Sequence, residues 1–183
     1  MKKLKTAELN RLSIKAFKKN PKNPIVILLD NVRSLYNIGS AFRTADTFLI
    51  EKICLCGITA IPPQKKIHKT ALGAENSVIW EHYPNAEKAI QHYKALGYQI
   101  IAIEQTDTSS PLNKFSIENG GRYLLIFGHE VKGINQALID LCDHALEIPQ
   151  FGTKHSLNVS VSIGIVLWTF IKKQRERCMR EKG

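Results

Sequence analysis

Six short apolar runs constrain the fold of this 183-residue chain more than any other feature. The first, Ile-Val-Ile-Leu-Leu at residues 25–29, opens after Pro24 and closes at Asp30. The others lie at 53–57, 78–80, 98–104, 123–127 and 145–148. Runs this short and continuous fit strands buried on both faces. Between them the pattern changes to helical spacing. A helix is expected over residues 36–48, and a second from the Asn85 cap to Leu96, stopped by Gly97. A short helix follows from about residue 135, and a last one from about 155 to beyond 173. Residues 58–77 are a polar, Pro-containing stretch with no clear period. Strands alternating with helices predict an α/β fold with a mainly parallel sheet and right-handed crossovers. No repeat and no Pro/Gly-rich linker divides the chain, so one domain is expected.

A hydrophobic content of 44% is enough for a sizeable core. No apolar run reaches bilayer-spanning length, and the first ten residues lack the apolar stretch of a secretory signal. A cytoplasmic location is the expectation. Of the four cysteines, Cys54 and Cys56 alternate in one strand run and therefore share a face, which suits core packing better than metal binding. No metal is expected. The net charge of +10 is unevenly placed. Residues 1–22 hold eight Lys or Arg against one acid, and residues 172–183 hold six against two. The expected organisation is a basic, helical N-terminal extension over 1–22, the α/β domain over 23–174 and a basic tail over 175–183. Basic ends on a near-neutral body read either as arms that grip phosphates or as solvated, solubilising tails. In the N-terminal extension, Leu4, Leu9, Leu12 and Phe17 recur at loose helical spacing.

Three segments carry candidate chemistry. Residues 31–43 read Asn-Val-Arg-Ser-Leu-Tyr-Asn-Ile-Gly-Ser-Ala-Phe-Arg, and residues 126–134 read Ile-Phe-Gly-His-Glu-Val-Lys-Gly-Ile. Residues 148–160 read Ile-Pro-Gln-Phe-Gly-Thr-Lys-His-Ser-Leu-Asn-Val-Ser, a strand end, a loop and a helix start. Polar side chains and free amides at a helix start hold a polar ligand well, or simply cap the helix. Arg43 follows Asn37 by nearly two helical turns, in the same broad sector. The motifs of a dinucleotide fold, a P-loop and a zinc protease are all missing.

In this order and spacing, the three segments resemble the signature of the SpoU (TrmH-like) branch of the SPOUT RNA methyltransferases, over roughly residues 24–172. The resemblance implies a SPOUT α/β-knot, with a deep trefoil knot in the C-terminal half whose loops, 127–134 and 148–157, clasp one ligand. That ligand would be S-adenosylmethionine, and the reaction methylation of a ribose 2′-hydroxyl in RNA. Phe127, Gly128, Gly133, Ile148 and Leu157 would hold the cofactor, with Gly128 giving it close access to the backbone and Gly133 and Gly152 shaping the loops. Arg43 matches the family's catalytic arginine. Its pKa, above about 12, makes it a poor base, so it would bind a phosphate and orient the hydroxyl. Asn37 would position Arg43 or the loop near it, Glu130 would orient its neighbours, and Ser156 and Asn158 would cap the last helix or touch the ribose. His129 and His155 match no catalytic position. Relatives dimerise through the knot and share active sites, and Val159, Ile163, Val166, Leu167 and Phe170 are either such a face or core. Many relatives carry a further N-terminal RNA-binding domain. With about 23 residues before the first strand, this chain is expected to lack it and to use its basic ends. The substrate is then tRNA, slightly favoured, or rRNA. The rival readings are a non-catalytic RNA-binding protein and a base methyltransferase of the same fold.

Overall fold

A computed structural model describes residues 1–118 and 120–180; residues 181–183 of the expected basic tail lie outside it, as does the side chain of Cys178. Among the described residues, seven strands form one sheet: β1 (Asn23–Asp30), β2 (Ile50–Cys56), β3 (Trp80–Tyr83), β4 (Gln99–Ile103), β5 (Ser110–Pro111), β6 (Tyr123–Phe127) and β7 (His144–Glu147). Their order is β3-β2-β1-β6-β4-β7-β5, and every pair is parallel. The helices are α1 (Ile14–Lys19), α2 (Leu35–Thr47), α3 (Lys65–Ala71), α4 (Ala86–Ala95), α5 (Gln136–Ile139) and α6 (Val159–Arg180). The fold is thus α/β, with helices on both faces of a parallel sheet.

The two-residue period of a strand divides β1 between two cores. Ile25, Ile27 and Leu29 join one cluster with Ile38 and Phe42 of α2 and Ile163 and Phe170 of α6. Val26 and Leu28 join the other with Ala89, Ile90 and Tyr93 of α4. Cys54 and Cys56 also enter this second core, fully buried, and no disulfide involves them or Cys142. Burial pushes the thiols of Cys54 and Cys142 up to about 12, and Cys56 higher still, so none of the three is a nucleophile at neutral pH. No described helix is long and apolar enough to cross a membrane.

The structure corrects several expectations. The N-terminal extension is not one helix: a 3-10 turn at Thr6–Leu9 ends at Asn10, whose left-handed backbone (φ 46) breaks the run before Ser13 caps α1. Only Phe17 of its apolar set is buried, while Leu4, Leu9 and Leu12 are exposed. The stretch 58–77 contains α3 and a second 3-10 turn, Ala74–Asn76. Seven residues with only Ile67 and Ala71 to bury make a weak helical signal, and α3 forms because it packs on α2. A Cβ at Gly39 would collide with Thr70 and the Ile67 carbonyl, so glycine permits that approach. The third strand begins at Trp80, the last residue of the expected 78–80 run, and continues to Tyr83. The last helix begins at Val159, four residues late, because Asn158 is the residue that caps it. Val159, Ile163, Val166, Leu167 and Phe170 are intramolecular core, which removes them as a self-association face.

Candidate active site

Ligands of open parallel sheets bind beyond the carboxyl ends of the strands. Here a cavity of about 700 Å³ opens beyond β4, β6 and β7. Its walls include Glu104 and Gln105, residues 127–134, and the segments around Ile148 and around Ser156, Leu157 and Asn158. Nine of the ten predicted site residues therefore fall at or beside one place. Phe127, Gly128, Glu130, Gly133, Ile148, Ser156, Leu157 and Asn158 line it, and Asn37 is hydrogen-bonded to its wall. Arg43 does not: it is exposed on α2 and lines a separate cavity. Six residues beyond Asn37, it sits about 9 Å further along the helix axis.

Glu130 is the hub. Its Oε1 accepts from the Ser34 amide (2.9 Å) and from Asn37 Nδ2 (3.2 Å), and its Oε2 accepts from the Arg33 amide (3.1 Å). These donors fix the Asn37 amide so that its Oδ1 faces outward and accepts from Asn158 Nδ2 at 3.2 Å. Asn158 Oδ1 then accepts from the Ser160 amide (2.9 Å) and hydroxyl (2.7 Å), capping α6. One directed line of hydrogen bonds thus joins the three motif segments. Ser156 is exposed on the cavity wall and takes no part in the cap.

Partial burial on its own would raise the Glu130 carboxyl. The backbone hydrogen bonds from Ser34, its own amide and Arg33, with that from Asn37, outweigh it and hold the group below the usual carboxylate range. Above about pH 5, where a glutamate of ordinary pKa (about 4.3) is largely ionised in the unfolded chain, the full stabilisation is present. It is lost as pH falls through the lower folded value. In urea melts, the stability difference between wild type and Glu130→Gln is expected to hold constant from pH 7 to about 5 and to shrink below about 4. A difference that grew on acidification would contradict this.

The fold itself demands glycine at 128. A Cβ there would lie 2.5 Å from the Ile134 amide nitrogen and equally close to the Gly133 carbonyl. The neighbouring chain is enough to exclude a side chain. The loop is closed by paired bonds between His129 and Gly133 (3.1 and 2.8 Å), and Gly133 turns it with φ 65. Gly152 has an open position with nothing within 4 Å and no positive φ, so no steric demand for glycine exists there.

Two residues escaped the sequence reading. Glu104 Oε2 accepts from the Ile134 amide (3.0 Å), and Gln105 Nε2 donates to the His155 carbonyl (2.9 Å), tying both loops to the end of β4. The available signal was a polar pair directly after an apolar run, at the sheet edge where ligands bind. Among the described residues, no group of three or more His, Cys, Asp or Glu is placed to hold a metal.

The SpoU rRNA Methylase family matches residues 24–168 of the chain. The chain is similar to the 23S rRNA (guanosine-2′-O-)-methyltransferase RlmB of Nitrosomonas europaea, 28% identical over 84% of this chain and 58% of that one. It is likewise 28% identical to the tRNA (guanosine(18)-2′-O)-methyltransferase of Aquifex aeolicus, over 87% of this chain and 72% of the other. In structure it resembles an AdoMet-bound rRNA methyltransferase from Sinorhizobium meliloti, with a TM-score of 0.77 and 26% identity over 83% of this chain and 57% of that one. The chain spans about three fifths of the length of the first curated relatives it matches.

Proposed function

Because the chain belongs to the SpoU rRNA Methylase family, we propose that it transfers a methyl group from S-adenosylmethionine to a ribose 2′-hydroxyl of RNA. The line Glu130–Asn37–Asn158 carries this reading, because it joins all three motif segments at one cavity beyond the strand ends. The mixed apolar and polar wall suits an adenosine-bearing ligand. Ile148 and Leu157 flank the adenine, the backbone of residues 128–134 and Phe127 enclose the remainder, and Ser156 meets the ribose. Bound there, S-adenosylmethionine supplies a methyl group on an electrophilic sulfonium.

The chain's own task is then to hold the 2′-oxygen in line at near-attack distance. Arg43 binds a substrate phosphate with its fork and orients the hydroxyl, since a guanidinium stays protonated. Glu130 is a positioning residue: its oxygens are engaged by three donors, and its lowered pKa makes it a weaker proton acceptor. Asn37 and Asn158 transmit that positioning to the start of α6. The products are S-adenosylhomocysteine and a 2′-O-methylated ribose.

Arg43 lies in another cavity of the same chain, so the active form is a homodimer in which Arg43 of one protomer faces the cofactor cavity of its partner. On α6 the residues left for a second copy are Val161, Ile165 and Trp168, which are 48%, 37% and 58% exposed and recur along one face. The RNA is tRNA in preference to rRNA, gripped by the basic N-terminal turns and the C-terminal end of α6, and the setting is the cytoplasm.

The test is product mapping by alkaline hydrolysis of tRNA and rRNA transcripts after incubation with S-adenosylmethionine. A single alkali-resistant linkage is expected, since 2′-O-methylation blocks cleavage there. A methylated product with no resistant linkage would indicate base methylation and overturn the reading. Arg43→Ala and Arg43→Lys are each expected to lose about 100-fold or more in turnover while binding S-adenosylhomocysteine normally. Near-normal turnover in Arg43→Ala would remove its assigned role.

A further inference from the structure

The second cavity has its own construction. It measures about 560 Å³ and lies between the N-terminal segment, α2 and the turn after α3, sharing no residue with the first. Arg11 and Arg43 both line it, one from each side, and neither makes an ion pair among the described residues. Its one acid, Asp46, accepts a hydrogen bond from the Ser77 hydroxyl. Its apolar wall includes Leu9, Leu12, Ile14 and Leu72, of which Leu12 and Leu72 are 50% and 64% exposed. Leu72 has a left-handed backbone (φ 52) because it is the C-cap of α3, its amide donating to the His68 carbonyl at 2.9 Å, and this turn leaves its side chain exposed on the cavity wall.

The surroundings are cationic. Residues 1–22 carry eight Lys or Arg against one acid. On α3, which packs against α2, Lys65, Lys66 and Lys69 are exposed. Paired arginine forks suit a phosphate, and flat apolar walls suit the face of a base. A duplex cannot present a base to such a hollow, whereas an unstacked nucleotide of a loop can. Building on the function proposed above, we propose that this cavity takes the base of an unpaired RNA nucleotide, the one on which Arg43 acts, with its flanking phosphate between Arg11 and Arg43. The substrate class is therefore a structured RNA with an accessible loop, and the interior of a duplex is excluded.

The experiment measures anisotropy of a fluorescein-labelled RNA stem-loop and of a fully paired duplex of the same stem. It compares wild type with Arg11→Ser, Leu72→Asn and a control, Lys88→Ser. Asparagine tolerates the left-handed backbone, so Leu72→Asn takes its leucine from the wall while keeping the α3 cap. Lys88 is exposed on α4, on the opposite face of the sheet. Arg11→Ser and Leu72→Asn are each expected to weaken stem-loop binding about tenfold, with unchanged melting temperature and unchanged affinity for S-adenosylhomocysteine. Lys88→Ser should stay within about twofold, and the duplex should bind more weakly than the stem-loop to wild type. If both cavity variants match the control, or if the duplex binds as tightly as the stem-loop, the proposal is wrong. Should S-adenosylhomocysteine bind and methyl transfer proceed in that case, only this inference falls; absence of both would sink the methyltransferase reading itself.

Discussion

Chains carrying Arg43→Ala and chains carrying Leu157→Arg are each expected to be inactive alone, and refolding the two together is expected to restore methyl transfer to about a quarter of the wild-type level by random pairing. The reason is geometric. Arg43 lines a different cavity from the first and stands about 9 Å along α2 from Asn37, which is anchored at the first cavity's wall. Reaction requires the two oxygen- and methyl-bearing partners within roughly 3–3.5 Å. In the proposed twofold pair Arg43 of one protomer would face the cavity of the other, so a mixed dimer would retain one intact site. Both substitutions are at exposed positions, Leu157 being 39% exposed, and folding should survive them. Arginine at 157 is expected to reach into the first cavity and block the proposed cofactor site. A mixture that stays at background, with both variants folded and dimeric by light scattering, would show that each site is built from a single chain.

The second large effect separates two glycines in the two loops. Gly128→Ala places a Cβ 2.5 Å from the Ile134 amide nitrogen, with only backbone to yield. It is expected to cost about 1–3 kcal/mol of stability and to abolish S-adenosylhomocysteine binding, because the loop 128–134 must open. Gly152→Ala meets open space and should change stability by less than about 0.5 kcal/mol. The pair is read by urea denaturation and calorimetry. Equal effects from the two substitutions would contradict the steric assignment.

The strands were legible because parallel strands buried on both faces appear as continuous apolar runs, and β6 occupies the residues expected of it. Helix α3 was hidden because its stability comes from close packing against α2 at Gly39, which no local pattern records. At the site, Asn37, Glu130 and Asn158 could be picked out from their motif positions. Their union into one hydrogen-bonded line could not, since it depends on side-chain amide orientation across segments about a hundred residues apart. At Gly128 the sequence shows only that no side chain is present, and the fold adds that residues 133–134 leave no room for one. The apolar stripe of α6 shows a related limit. Helical periodicity marks Val159, Ile163 and Val166 as needing cover, and is silent on whether the same chain or a second copy supplies it.

The most direct measurement is calorimetric titration of the purified chain, and of its Leu157→Arg variant, with S-adenosylhomocysteine. Saturable binding at one site per chain, lost in the variant while folding is kept, is the expected result. A folded wild-type chain that binds none, or a variant that binds equally well, would contradict a cofactor site between residues 128–134 and 148–158.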